Sequence, residues 1–203
     1  MSFRKVVVVG KRSRADNISN YNVTENLRDQ RTLIIRAIRP DDKGLVIEGL
    51  KTVSAESIYR RFFTPRREIS ASGLKLVTEV DFINAVALVA VVEKDGNEQI
   101  AGGGRYVRIG PSGSGQRAEV AFLVGDPFHG LGIASLIFKH LVAIARDSGI
   151  TQFEANVLPS NDAMFKVFTR SGIPMKRKRT RDYVHVLMEL TPEATAGSMA
   201  NES

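Results

Sequence analysis

The stretch Asp126-Pro-Phe-His-Gly-Leu-Gly-Ile-Ala-Ser-Leu136 lies between an apolar run, Val120-Ala-Phe-Leu-Val124, and a long helical pattern. Glycines at the opening of a helix leave backbone N–H groups bare at its positive end, an arrangement that holds an anion such as a phosphate. A plain helix cap after a turn has the same spelling, so the loop alone leaves both readings open. Downstream, Ile133, Leu136, Ile137, Leu141 and Ile144 form one apolar stripe at helical spacing. A helix is therefore expected from about Gly132 to Ser148, closed by Gly149.

Two familiar phosphate motifs do not fit. Gly130-x-Gly132-x-x-Ser135 is one residue away from the dinucleotide fingerprint, and Glu154 follows about 20 residues on. In that fingerprint the first glycine sits at the strand end, whereas here Gly125 to His129 intervene after Val124. The strand also comes too late in the chain for a second wound half to follow. Without a Gly-Lys-Ser/Thr sequence, a P-loop is excluded as well.

Working outward, Thr32-Leu-Ile-Ile-Arg-Ala-Ile38 reads as a strand, and Pro40-Asp-Asp opens a helix carrying Leu45, Val46 and Leu50. Ser54 is placed to cap a second helix, Ser54 to Phe63. Residues 86–93 and 99–109 form a hairpin turned at Asp95-Gly-Asn97, and the glycine-rich 111–116 leads as a flexible loop into Ala118 to Val124. After the long helix come a strand at Thr151 to Leu158, a helix at Ser160 to Gly172 and a last strand at Asp182 to Leu190. The order is one strand, two helices, three strands, then helix, strand, helix, strand: an α/β (α+β) domain with a mixed sheet. Residues 1–30, rich in Asn and Ser, are expected as an N-terminal extension, 31–190 as the domain, and the small, polar 191–203 as a flexible tail.

A 203-residue chain that is 43% hydrophobic is long enough for one domain with a full core. It has no Cys, which removes thiol nucleophiles and disulfides, fits a cytoplasmic location, and leaves three His residues without metal-ligand spacing, so no metal is expected. Val6 to Val9 is far too short for a membrane span. The net charge of +7 favours acidic partners without choosing among them. Lys176-Arg-Lys-Arg-Thr-Arg181 lacks interleaved aromatics; it reads as a solvated connection rather than a nucleic-acid patch.

His129-Gly-Leu-Gly132-Ile-Ala134 matches the pattern Q/R-x-x-G-x-G/A at every position but the first, and in this it resembles the pyrophosphate loop of the GNAT acetyltransferases. Arg36-Ala-Ile-Arg-Pro-Asp-Asp42, Ser54 to Phe63 with the following Pro-Arg-Arg-Glu-Ile-Ser70, Ala118 to Val124, and Asn161 to Pro174 are similar to consecutive landmarks of the Pat-like protein-lysine branch of that family. The likeness covers roughly residues 32 to 190. It implies the GNAT fold: a mixed, mostly antiparallel central sheet splayed at the cofactor site, with helices on both faces.

The likeness also implies acetyl-CoA as the cosubstrate. Its pyrophosphate would meet the loop His129, Gly130, Leu131, Gly132, Ile133, Ala134 and Ser135, and its pantetheine arm the unpaired backbone of Phe122, Leu123 and Val124. Glu119 stands where the branch carries its general base; by alternation it shares a face with Ala121 and Leu123, though a carboxylate at a strand start also reads as a solvated end residue. Asn156 and Asn161 would bond the pantetheine amides, Asn161 doubling as a helix cap, and Arg170 would reach the phosphates unless it is simply a solvated helical residue.

Two residues depart from the family pattern. His129 replaces Gln or Arg, and Phe168 stands where many relatives carry a Tyr able to protonate the leaving thiolate. The implied activity is acetyl transfer to a primary amine, foremost the ε-amine of a protein lysine. Small amines (a polyamine, an amino acid or a drug) and a non-catalytic acyl-CoA-binding regulator are the alternatives. No membrane or nucleic-acid partner is expected, and a homodimer is compatible with the reading.

Overall fold

The computed structural model describes residues 13–62, 69–110 and 116–191. Eight strands form one sheet: β1 (Asn22–Asn26), β2 (Thr32–Ala37), β3 (Ala85–Lys94), β4 (Asn97–Ile109), β5 (Arg117–Val124), β6 (Gln152–Val157), β7 (Met175–Arg179) and β8 (Val184–Glu189). The spatial order is β1-β2-β3-β4-β5-β6-β8-β7, antiparallel except between β5 and β6. The β3–β4 hairpin turns on Asp95 and Gly96, both at positive φ (53° and 77°). Helix α5 (Ile133–Asp147) is the crossover that makes β5 and β6 parallel.

Period-two alternation divides the core between two faces of the sheet. Ile133, Ile137, Leu141 and Ile144 of α5 pack with Leu33, Ile35, Leu88, Val120 and Phe122 on one face. On the other, Ile38, Ala87, Val89, Val91 and Ile100 meet Leu45 and Val46 of α2 (Lys43–Lys51). Helices α3 (Ala55–Phe62), α4 (Ala71–Thr78) and α6 (Asp162–Arg170) complete the layers. The backbone must be bare at Gly104, where an added Cβ would stand 2.7 Å from both Ile137 and Phe122.

The structure departs from the sequence expectation in three places. Part of the expected N-terminal extension is built into the domain as α1 (Arg14–Ser19) and β1. A capping box at Ser13 and Asp16 starts α1, and β1 takes its order from pairing with β2 rather than from its own polar residues. Tyr21 and His140 of α5 share a hydrogen bond of 2.5 Å, and Glu25 bonds both His140 (2.9 Å) and Lys139 (2.9 Å), which fastens this segment to α5. The second departure is α4, started by Ser70, whose hydroxyl accepts from Gly73 N–H at 3.1 Å. Lastly, the basic run expected as a connection is β7: its long charged side chains face solvent along a sheet edge, where like charge discourages a further strand. Most of the 111–116 loop, Phe63 to Glu68 and the expected tail from residue 192 lie outside the described residues.

Arg36, only 2% exposed, explains the Arg36 to Asp42 landmark. Its Nη1 and Nη2 donate to the two carboxylate oxygens of Asp42 at 2.7 and 2.8 Å, and Nη2 also reaches Glu98 at 3.0 Å. The backbone N–H of Arg39 donates to the same carboxylate at 2.7 Å, so the turn into α2 is pinned to β2. Burial acts to raise the pKa of Asp42, but the bonds from Arg36 and Arg39 outweigh it and hold the group below its ordinary 3.8. This pair should therefore stabilise the fold fully above pH 3.8 and lose its contribution as pH falls through the lowered folded value. Asp42→Asn leaves a buried guanidinium poorly compensated and should cost about 3–5 kcal/mol in urea unfolding at neutral pH, with a flatter acid limb. A loss below about 1 kcal/mol, the range of an exposed pair, would contradict this account.

Candidate active site

β5 and β6 pair at only three positions, Arg117 with Gln152, Ala118 with Phe153 and Glu119 with Glu154, and then part. β5 stays paired to β4 as far as Val124, and Ala155, Asn156 and Val157 stay paired to β8, so the two inner edges beyond Glu119 face each other without a ladder. The hydrogen bond from Gly125 N–H to Ala101 C=O (2.9 Å) sets the phase of the β4–β5 ladder. Alternation then turns the backbone groups of Leu123 toward Gly103 and those of Phe122 and Val124 toward the opening. That refines the expectation for Leu123, whose share in the opening is its side chain rather than its backbone.

A cleft of about 540 Å³ occupies this wedge. It is lined by Glu119, Phe122, Leu123, Val124, His129, Gly130, Gly132, Ile133, Ala134, Ser135, Asn156, Asn161 and Arg170. The sequence had singled out each of these. The side chain of Leu131 packs against the core, so its expected part in the loop is left to its backbone N–H.

The loop is held from both sides. Asp126 N–H donates to Thr52 C=O (3.1 Å), and the Asp126 carboxylate accepts from the N–H of Ser54 (3.2 Å) and the hydroxyl of Ser57 (2.9 Å), tying α3 to the loop. Burial acts to raise the Asp126 pKa; the bonds from Ser54 and Ser57 outweigh it and keep the group below the usual carboxylate value. Gly130 and Gly132 adopt φ of 79° and 93°, the left-handed region. Gly132 is the N-cap of α5, no side chain caps it, and the first intrahelical bond runs from Leu136 N–H to Gly132 C=O. The earlier N–H groups of the first turn have no intrahelical partner and stand at the positive end of the helix dipole. His129, at the departure position, places Nε2 3.1 Å from Val124 C=O and 3.6 Å from Asp126. Its ring is thus engaged with the loop's own backbone.

Asn161 caps α6 by accepting from Met164 N–H at 3.2 Å, and Asn156 lies 3.2 Å from the ring of His185. Phe168 is buried (1% exposed) among Phe122 and Phe138, with ring centroids 6.4 and 5.3 Å away, so the wall carries no hydroxyl there. Sequence reasoning missed Arg28, Ser57, Arg60, Arg61 and Lys166, which also line the cleft. Lys166 stands one turn before Arg170 on α6, whereas Arg28, Ser57, Arg60 and Arg61 arrive from elements distant in sequence.

A second cavity, about 410 Å³ and mostly aliphatic, opens on the face covered by α2 to α4. It shares Arg61, Ala121, Phe122 and Leu123 with the wedge, so the two spaces meet along the middle of β5. Glu119 lies two residues before that junction on the face of Ala121 and Leu123. Burial and the neighbouring Arg105 push the Arg61 guanidinium down to about 10, while Glu119 acts to raise it.

The family profile of the acetyltransferase (GNAT) domain matches residues 32–173. The chain belongs to the GNAT acetyltransferase family. It is 35% identical over 138 residues to acetyltransferase Pat of Mycolicibacterium smegmatis, covering 68% of this chain and 40% of that protein. With acetyltransferase PA5475 of Pseudomonas aeruginosa it shares 29% identity over 140 residues, 69% of this chain and 74% of the relative. Its structure matches the GNAT domain of S. lividans PAT with a TM-score of 0.75 at 37% identity, over 83% of this chain and 96% of that one. The chain thus spans only part of Pat but nearly the whole of the PAT GNAT domain. GNAT enzymes take their acyl group from acetyl-CoA. The wedge suits such a donor: a strand edge for an extended amide arm, and bare N–H groups at a helix start for phosphates.

Gly132→Val forces a β-branched residue to φ of 93° at the helix start. It should destabilise the protein by about 1–2 kcal/mol and abolish the rise in melting temperature that acetyl-CoA gives the wild type. An unchanged thermal shift would contradict the loop's part in donor binding.

Proposed function

We propose that this protein transfers an acetyl group from acetyl-CoA to the ε-amine of a lysine in another protein, with Glu119 as general base. The observation that carries the reading is the position of Glu119. It stands at the closed end of the wedge, where the strands part, while the uncapped start of α5 lies at the other end. The donor supplies an acyl carbon activated as a thioester. Its pyrophosphate would rest on Gly130 to Ser135 and its arm along Phe122 and Val124, with Asn156 and Asn161 beside the amides and Arg170 near the phosphates. That arrangement directs the reacting end of the donor toward Glu119.

A lysine has an ordinary pKa near 10.4, so the amine must lose a proton before it attacks. The carboxylate of Glu119 takes that proton, directly or through water, and frees the nitrogen lone pair. The neutral amine then bonds to the acyl carbon, the carbon–sulfur bond breaks, and the second nitrogen proton passes through water to the thiolate. Arg61 and Arg105 help in a different way: their charges raise the energy of an ammonium ion entering between the two cavities and favour the neutral amine. With Phe168 in place of a hydroxyl, the departing thiolate draws its proton from water. Likeness to acetyltransferase Pat and to the PAT GNAT domain supports acetyl transfer; the protein acceptor and the cytoplasmic location are part of the proposal. The aliphatic second cavity favours one rival, a small amine with an apolar body.

Glu119→Gln keeps the shape of the side chain and removes the base. The variant should lower kcat by ~10²- to 10⁴-fold at neutral pH, leave acetyl-CoA binding nearly unchanged, and recover partly at high pH as the amine deprotonates unaided. Near wild-type kcat across neutral pH would mean the base lies elsewhere. Turnover of small amines alone, with no acetyl-lysine on host proteins, would favour the rival acceptor.

A further inference from the structure

Arg28 comes from the turn between β1 and β2, more than a hundred residues from the glycine loop, yet its Nη1 donates to Gly130 C=O at 3.2 Å. A Cβ placed on Gly132 would stand 3.5 Å from its Nε, so the guanidinium lies across both glycines, and Arg28 lines the same cleft. The turn that carries it is firmly set. Leu27, 4% exposed, is part of the core; its N–H donates to Arg31 C=O at 2.8 Å, and Gln30 closes the turn with an N–H to Leu27 C=O bond of 3.0 Å. Glu25 and Tyr21 tie the preceding residues to α5, the helix whose start the loop forms. His129, meanwhile, is engaged with Val124 C=O and Asp126.

We propose that Arg28 is the cation that neutralises the donor's pyrophosphate, taking the part that the first residue of the loop motif does not play in this chain. The proposal rests on acetyl-CoA as the donor. A guanidinium holds five N–H donors in a planar fork; one on Gly130 C=O leaves others for phosphate oxygens arriving at the uncapped start of α5. The N-terminal helix and edge strand thereby become part of the donor site. Only the fold brings this residue to the loop.

The test is calorimetric binding of acetyl-CoA, 3′-dephospho-acetyl-CoA and acetyl-pantetheine to wild type, Arg28→Ala, Arg28→Gln and Arg28→Lys, with unliganded melting temperatures as the check on folding. Loss of a charge-assisted bond should weaken both CoA thioesters equally in Arg28→Ala, by about 10- to 100-fold, and leave acetyl-pantetheine unaffected. Arg28→Gln, which keeps a donor but no charge, should be as weak as Ala; Arg28→Lys should stay within a few fold of wild type. In turnover the same loss should appear in KM for acetyl-CoA and spare kcat. Wild-type affinity in Arg28→Gln would reduce Arg28 to a pin on the loop, and a loss confined to acetyl-CoA would move it to the 3′-phosphate; either overturns the proposal. If wild type bound no acetyl-CoA, the donor reading itself would fail, whereas wild-type binding with Arg28→Ala unaffected would sink Arg28 alone.

Discussion

The site depends on one interruption in backbone pairing. A sheet gains from every ladder bond, and a strand edge buried without partners is costly. Here β5 and β6 give up their ladder after Glu119 and Glu154, while each stays paired on its far side. The opening is held by what surrounds it. The bare backbone of Gly104 lets Phe122 and Ile137 close against β4, so β5 stays with that neighbour, and α6 packs its Phe168 beneath the wedge. The unpaired edge is a fixed feature that an extended amide chain is suited to complete.

The rest of the chain serves the two ends of that opening. At one end the Asp126 carboxylate ties α3 to the loop, so the elements that carry Arg61 and the glycines are positioned together. On the other face of the sheet, the buried Arg36–Asp42 pair fixes the turn into α2, whose residues Val46 and Leu50 line the second cavity. Helix-start amides and Arg28 stand where phosphates are proposed to lie, and the carboxylate of Glu119, with Arg61 nearby, where a proton is proposed to leave.

Much of this was legible in the sequence because the signals are local. A paired glycine at a helix start, the stripe Ile133 to Ile144, the Asp95-Gly96 hairpin turn and the alternation around Glu119 each depend on neighbours a few residues away. What was not legible depends on partners distant in sequence. β1 and β7 carry polar or charged residues and are strands only because β2 and β8 pair with them. Arg28 reaches the cleft by tertiary packing, and the second cavity exists only between elements.

Amide hydrogen exchange with and without acetyl-CoA is the most direct test that the parted edge of β5 and the start of α5 form one donor site. The account predicts slower exchange at Phe122, Val124 and the amides of Gly130 to Ser135, with little change in α2 and α4. Protection absent from β5, or confined to the helices around the second cavity, would contradict it.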